Sequence, residues 1–261
     1  MFCRRYFGLF LSFLLVGCAA EKEPLKNRSV DGIYKKAHAL LKAGEYTDAA
    51  SEFNDVDSLF PYSSKASEAQ VLTAYCHFLA SSYPDAIREI DVFLRYHPSH
   101  PLVPYAMYLK AICIYMRVAS VGRDSQLALD AKEAFTELLN KFPESIYRAD
   151  CVKRVMILDN LLAAHEMAIG RFYQRDKNAL SAIGRYNFVV NKLPNTEHVS
   201  EAYYRIIECC LFIGLMEEAK NTYDVMKLAH GKSKWTKKAD GLMKNCSKSV
   251  AGRSVCDLRN F

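Results

Sequence analysis

The chain has 261 residues, 51% hydrophobic and 25% charged, a globular composition that can bury a sizeable core and excludes a disordered or collagen-like chain. Only 11 Gly and 8 Pro stand against long apolar runs, which argues against an all-β sandwich or barrel, where turn residues recur. The formal net charge of +6 is concentrated at the C-terminus, so it is not the footprint of a nucleic-acid-binding body.

At the N-terminus, Arg4 and Arg5 precede an apolar run from Tyr6 to Val16. A helix needs about 20 apolar residues to cross a bilayer, so this run reads as a secretory leader. It ends in Leu15-Val16-Gly17-Cys18, which resembles a bacterial lipobox. There the small Gly17 admits a peptidase and the Cys18 thiol takes a diacylglyceryl group. Several acyl chains on one residue satisfy the two-signal requirement for stable anchoring. Residue 19 is Ala rather than Asp, which favours the outer membrane over retention in the inner one. The expected segments are a leader (1–17), a lipid-anchored linker (18–30), a helical body (31–230) and a basic tail (231–261).

The body is read as a repeat. Phe60-Pro61, His97-Pro98, Phe142-Pro143 and Leu193-Pro194 each close an amphipathic helix, and Ser63, Ser99, Ser145 and Thr196 follow as helix-start candidates. Pro-to-Pro intervals of 37, 45 and 51 compare with about 34 residues for a tetratricopeptide unit, and the excess is assigned to longer helices or loops. The first repeat is the clearest: Ile33, Ala37 and Leu40 mark one helix, and Gly44, Tyr46, Ala49, Phe53, Val56 and Pro61 mark the next. Small residues at Ala37 and Ala49 let antiparallel helices approach, and Gly44 makes the turn between them. Matching positions recur at Tyr83, Ala86, Ile90, Phe93; at Ala128, Ala131, Phe135, Leu138; at Ala179, Ala182, Tyr186, Val189; and at Ala219, Tyr223, Met226. The spacing predicts an all-α, tetratricopeptide-type helical-repeat superhelix of about five helix pairs with a concave surface.

Nine cysteines are present. Cys3 leaves with the leader and Cys18 is the lipidation site. Cys76, Cys113, Cys151, Cys209 and Cys210 lie in apolar helical patterns and read as small buried hydrophobes. Cys246 and Cys256 flank a loop-like stretch and are the candidate pair. From Lys227 onward nine Lys/Arg face only Asp240 and Asp257. That tail is expected to be solvated and poorly ordered, with contact to anionic lipid or lipopolysaccharide headgroups as the alternative.

No catalytic motif emerges. His165-Glu166 opens like a zincin helix, but Ile169 stands where the second His is needed. No nucleophile elbow, P-loop or dinucleotide fingerprint occurs. Asp85, Glu89 and Asp91 read as a solvated face, with the paired carboxylates of a lytic, peptidoglycan-cleaving enzyme as the alternative that spacing leaves open. No catalytic residue, metal or cofactor is expected. His97, His100 and Pro101 read as turn-formers, Tyr105 and Tyr108 as core. Glu166 and Arg185 form either a structural ion pair or a partner contact.

Several blocks carry a resemblance: Arg95-Tyr96-His97-Pro98-Ser99-His100-Pro101 followed by Tyr105-Ala106-Met107-Tyr108-Leu109-Lys110-Ala111, then Arg123-Asp124-Ser125-Gln126, Phe142-Pro143-Glu144-Ser145, Ala149-Asp150, Leu161-Leu162-Ala163, Phe172-Tyr173 and Leu193-Pro194-Asn195-Thr196. Together they resemble the BamD (YfiO/ComL) family, tetratricopeptide lipoproteins of the outer-membrane β-barrel assembly machine. The resemblance implies a non-enzymatic scaffold, lipid-anchored to the outer membrane and facing the periplasm. Its partners would be a BamA-like β-barrel insertase, other lipoproteins of the complex and nascent outer-membrane proteins, with no nucleic acid. The first three pairs (about 31–143) would meet substrate through a groove walled by Tyr46, Tyr62 and Tyr83. The last two (about 144–230) would dock the insertase through Leu211, Phe212, Ile213, Leu215 and Met216, a run that equally fits the core of the terminal pair. Another tetratricopeptide lipoprotein, a secretin pilotin or a cell-wall or division coordinator, is the alternative.

Overall fold

Two kinds of tight turn, each repeated along the chain, generate the architecture. In the computed structural model, residues 29–121 and 125–250 are described, with side chains over 29–118 and 125–246. The leader, Cys18, Arg123, Asp124 and Cys256 lie outside the described residues. The helices in chain order are α1 (Val30–Ala43), α2 (Tyr46–Leu59), α3 (Ala66–Leu79), α4 (Tyr83–Tyr96), α5 (Val103–Val121), α6 (Ser125–Lys141), α7 (Arg148–Arg175), α8 (Ala179–Lys192), α9 (Val199–Phe212), α10 (Met216–His230) and α11 (Lys234–Val250).

The first kind of turn joins the two helices of a pair. Gly44, Ser81, Lys177 and Gly214 all take a left-handed backbone, with φ of 83°, 59°, 58° and 83°. The next residue donates its N–H back to the helix it has just left: Glu45 to Leu40 (3.0 Å), Ser82 to His77 (2.8 Å), Asn178 to Tyr173 (2.9 Å) and Leu215 to Cys210 (2.8 Å). These are Schellman closures, which satisfy carbonyls a helix end would otherwise leave bare. Glycine is the residue suited to this conformation. At Ser81 and Lys177 an L side chain accepts it at a cost of about 1–2 kcal/mol, so packing of the two helices imposes the turn there.

The second kind joins one pair to the next. Phe60, His97, Phe142 and Leu193 each accept an N–H three residues on, from Ser63, His100, Ser145 and Thr196; those residues in turn accept from Ala66, Val103, Arg148 and Val199. Two successive turns therefore intervene before each new helix. The expected starts at Ser63, Ser99, Ser145 and Thr196 are accordingly three or four residues early. Proline lacks the N–H that would extend the preceding ladder, and the chain closes both turns before a regular helix resumes. His100 fits the turn-former reading closely. Its Nδ1 accepts the Leu102 N–H at 3.1 Å, and its Nε2 lies 3.3 Å from Ser67 Oγ.

Between these turns the core repeats one register. Ala49-Phe53-Val56, Ala86-Ile90-Phe93, Ala131-Phe135-Leu138 and Ala182-Tyr186-Val189 are all buried, and Ala219 and Met226 complete the series. The small residue lets the paired helix approach; the two large ones fill the space to the next pair. On the first helix of the second to fifth pairs the partners are Ala69 and Cys76, Ala106 and Cys113, Cys151 and Leu158, Ala202 and Cys209, all buried. Cysteine thus occupies core sites that take a side chain between Ala and Leu in size. Helix α3 serves both neighbours, with Ala69 and Cys76 in the cluster of the first pair and Val71 and Ala74 in that of the remaining ones. The long Pro-to-Pro intervals come from helices, not loops: α5, α6 and α7 have 19, 17 and 28 residues, where α1 to α4 have 14 each.

Five of the cysteines, Cys76, Cys113, Cys151, Cys209 and Cys210, are free and buried. Burial pushes the Cys76 thiol up to about 11 and those of Cys113 and Cys209 to about 12. The thiolate is the reactive form, so these groups are inert at neutral pH. A maleimide should therefore label none of the five in the native protein and all five in denaturant, read by mass spectrometry. Fast native labelling of any of them would place it outside the core. Cys246 is disulfide-bonded; its expected partner, Cys256, lies outside the described residues.

The expected all-α superhelix of five pairs is found, α1–α2 through α9–α10. The basic tail is corrected in its described part. Helix α11 continues the stack, with Thr236, Ala239 and Cys246 buried and Trp235, Leu242 and Met243 packed against the core. These positions recur three or four residues apart, an amphipathic pattern hidden among lysines. Helix α11 behaves as a cap with a polar outer face, which a solenoid needs at its end. Helix α3 touches α5, and α9 touches α11. First helices thus meet across pair boundaries, which puts them on the short, inner side of the curve.

Candidate protein-binding surfaces

The inner helices carry partly exposed aromatic rings fixed by polar partners. Tyr108 stacks on Tyr147 with ring centroids 4.5 Å apart and donates its hydroxyl to Asp150 at 2.8 Å. Arg154 Nε donates to the same carboxylate at 2.5 Å while its guanidinium lies 4.9 Å from the Tyr115 ring centre. Burial alone would raise Asp150, but the bonds from Arg154 and Tyr108 outweigh it and hold the carboxyl below its ordinary value. Tyr105 and Tyr108 are packed against the core, as expected.

A cleft of about 490 Å³ opens between α4, α5 and α6. Its apolar floor includes Met107 and Phe142, and its rim carries Arg95, Lys110, Glu137 and Lys141. Lys110 pairs with Asp91 at 2.5 Å and Lys141 with Glu137 at 2.6 Å. An apolar floor with paired charges above it suits a peptide with side chains of both kinds. Nothing in the sequence marks this cleft, because its walls come from three helices.

The three expected groove tyrosines are not brought together. Tyr46 and Tyr83 open α2 and α4, on the edge of the superhelix where the pairs turn, and Tyr83 lies 6.0 Å from the Phe78 ring. Tyr62 stands fully exposed in the turn after α2, on the opposite edge. The length of α2, about 20 Å, separates it from Tyr46. A single wall of all three is ruled out by the alternation of the two turn types.

At the C-terminal end the apolar run divides. Leu211 is 4% exposed and belongs to the core. Phe212, Ile213 and Leu215 are 37–39% exposed around the left-handed Gly214, and Met216 is half-buried. Met216 also lines a cleft of about 610 Å³ between α10 and α11, with Tyr223 and Met243 among its walls and Glu217, Lys220 and Asp240 at its rim. The patch and the cleft form one surface. Unbranched methionine adapts to varied partners, so such a surface suits another protein.

A polar chain fixes this end. Tyr186 donates to Gln174 Oε1 (2.9 Å), Gln174 to Glu208 (3.2 Å), and Arg205 to Glu208 (2.8 Å) and Glu201 (3.4 Å). Arg171 joins Glu201 from α7 at 3.2 Å. The Arg205 guanidinium also lies 5.7 Å from the Trp235 ring, which packs on Tyr204 at 5.3 Å and so docks α11.

Glu166 accepts from Arg185 at 3.2 Å, tying α7 to α8. The arginine side chain is 45% exposed, so the pair is not buried and adds about 1 kcal/mol at most. Among the described residues no three His, Cys, Asp or Glu side chains could hold a metal ion, and no helix is long and apolar enough to cross a membrane. The arrangement of the described residues offers apolar and aromatic recognition surfaces.

A family model described as "YfiO: Outer membrane lipoprotein" matches residues 26–226. Among curated proteins, the chain is 33% identical over 240 residues to the outer membrane protein assembly factor BamD of Rickettsia prowazekii, covering 91% of this chain and 95% of that one. It is 32% identical over 225 residues to the protein of that name in Caulobacter vibrioides, covering 85% and 74%. The Neisseria meningitidis serogroup B protein of that name is 31% identical over 207 residues, covering 75% and 78%.

Proposed function

The chain belongs to the YfiO family of outer membrane lipoproteins, and on that premise we propose that it is a non-enzymatic scaffold of outer-membrane protein assembly. In this reading acyl groups on Cys18 hold it to the periplasmic face of the outer membrane. It binds a BamA-like β-barrel insertase, companion lipoproteins and nascent outer-membrane proteins. The observation that carries the reading is the match to this family over residues 26–226, with near-full-length similarity to one protein named as an assembly factor.

The work divides along the superhelix. The first three pairs receive the substrate. The cleft between α4, α5 and α6 lies at the C-terminal ends of α4 and α6, on the edge that also carries Tyr62, and Tyr46 and Tyr83 lie on the opposite edge; the cleft offers the apolar floor to an extended segment and the two tyrosines a separate aromatic contact. The last two pairs dock the insertase through Phe212, Ile213, Leu215 and Met216, with Leu211 beneath them as support. A permanent partner needs a fixed apolar patch with a polar rim, and the chain of bonds from Tyr186 to Arg205 supplies the rigidity.

The test is affinity purification of the native chain from detergent-solubilised membranes. Recovery of a β-barrel insertase supports the reading. Recovery of a secretin or of wall-synthesis proteins in its place would assign the superhelix to another machine. Anchoring is checked separately. Cys18→Ser should leave the protein uncleaved or in the soluble fraction, because the 11-residue apolar run of the leader is too short to hold it. A variant of mature size that still resists carbonate extraction of membranes would contradict the anchor.

A further inference from the structure

We propose that the α10–α11 end is itself a membrane contact, a cationic face that rests on the anionic phospholipid headgroups of a bilayer. No acidic residue occurs between Asp224 and Asp240. Within that interval Lys227, Lys232, Lys234, Lys237 and Lys238 are all exposed. None of the five forms an ion pair with a described residue. Elsewhere the solvated surface mixes its signs, as in Lys36–Glu52, Lys110–Asp91 and Lys132–Asp159. A lysine-rich interval bounded by Asp224 and Asp240 is therefore a local feature of this end, and it complements phosphate.

Two further observations favour a lipid surface over an acidic protein. Leu228 is 92% exposed beside Lys227, and Val225, three residues earlier on the same face of α10, is 51% exposed. An apolar tip beside exposed lysines is the chemistry of an interfacial anchor, in which the tip enters the acyl boundary and the ammonium groups stay with the headgroups. The cations are also held in place. Lys238 and Lys234 lie 4.4 and 5.6 Å from the Trp235 ring, which is itself wedged against Tyr204.

The patch lies at the far end of the superhelix from α1, so together with an acyl group on Cys18 it would give a two-ended attachment that lays the scaffold along the membrane. The patch does not depend on that tether or on the assembly role, and the test omits both. The mature chain with Cys18→Ser, made without its leader, is sedimented with vesicles of phosphatidylcholine alone and of phosphatidylcholine with phosphatidylglycerol. Binding is expected only to the second kind and should fall as salt rises, because these charges act within about 10 Å of the surface. Each lysine near an anionic surface is worth about a fivefold gain in partitioning, so Lys232→Gln, Lys234→Gln and Lys237→Gln together should weaken binding roughly 100-fold. Leu228→Ser should remove the part that survives high salt. Lys35→Gln with Lys42→Gln, on exposed positions of α1, should change nothing. Equal binding to both vesicle types, or a triple variant that binds like the parent, would overturn the proposal. Binding to a polyglutamate peptide without binding to vesicles would also overturn it, and would assign the face to an acidic protein.

Discussion

Gly170→Ala should destabilise the fold by about 3 kcal/mol, the largest loss expected from a glycine-to-alanine change among the described residues. A Cβ at residue 170 would stand 2.4 Å from one carbon of the Tyr186 ring and 2.8 Å from two others. The ring cannot step aside. It is fully buried, and its hydroxyl is bonded to Gln174, itself buried in α7. Either α7 and α8 separate, losing close packing along their contact, or the ring leaves its site and breaks the bonds that run to Arg205. Chemical denaturation measures the loss, and the double variant Gly170→Ala, Tyr186→Leu shows its origin. Removing the ring should make the pair of changes cost clearly less than the two single losses added together. Additive losses would mean the clash is not with Tyr186. Gly184→Ala is the contrast. It lies on exposed helix with nothing within 4 Å of the new atom, so it should stabilise by about 1 kcal/mol through helix propensity alone. A loss at both glycines would point to helix bending and away from close approach.

What the sequence could and could not reveal follows from the same contacts. The Ala49-Phe53-Val56 register was legible because one small and two large residues recur at fixed offsets before each Pro, and a repeat leaves that spacing in the chain itself. The turns at Gly44 and Gly214 carry the residue their backbone needs. Those at Ser81 and Lys177 do not, because packing of the flanking helices enforces the conformation and leaves no compositional mark. Gly170 was invisible for a related reason: its partner is 16 residues away on another helix, and only the pairing of α7 with α8 brings them together. Helix α11 was missed because lysines outnumber its buried positions, so charge masked the spacing of Trp235, Ala239 and Cys246. Proximity along the chain groups Tyr46, Tyr62 and Tyr83, whereas the solenoid sends Tyr46 and Tyr62 to opposite edges. Tyr108, Asp150 and Arg154 come from two helices 42 residues apart in the sequence and could be joined only by the fold.

Phe212→Ser with Leu215→Ser should cut co-purification of the insertase by about 100-fold while leaving substrate crosslinking at the first three pairs intact. Point changes are preferable to removal of the last two pairs. Cutting after Pro143 would strip α7 from α6 and bare core side chains such as Phe135 and Leu138, confusing lost binding with lost folding. Phe212 and Leu215 are each close to 38% exposed, so each buries part of its surface in the terminal pair and presents the rest. Truncating both therefore lowers stability as well as binding, and Leu211→Ala separates the effects. Leu211 is buried, and its truncation should cost about 2–5 kcal/mol while leaving the outer surface in place. If the patch is a docking site, the double serine variant loses the insertase at temperatures where it is fully folded, and Leu211→Ala keeps it under the same conditions. If the run only completes the core of the terminal pair, both variants melt earlier and both retain the insertase while folded. That second outcome would remove the patch from the interface and leave the Met216–Tyr223–Met243 cleft between α10 and α11 as the next surface to probe.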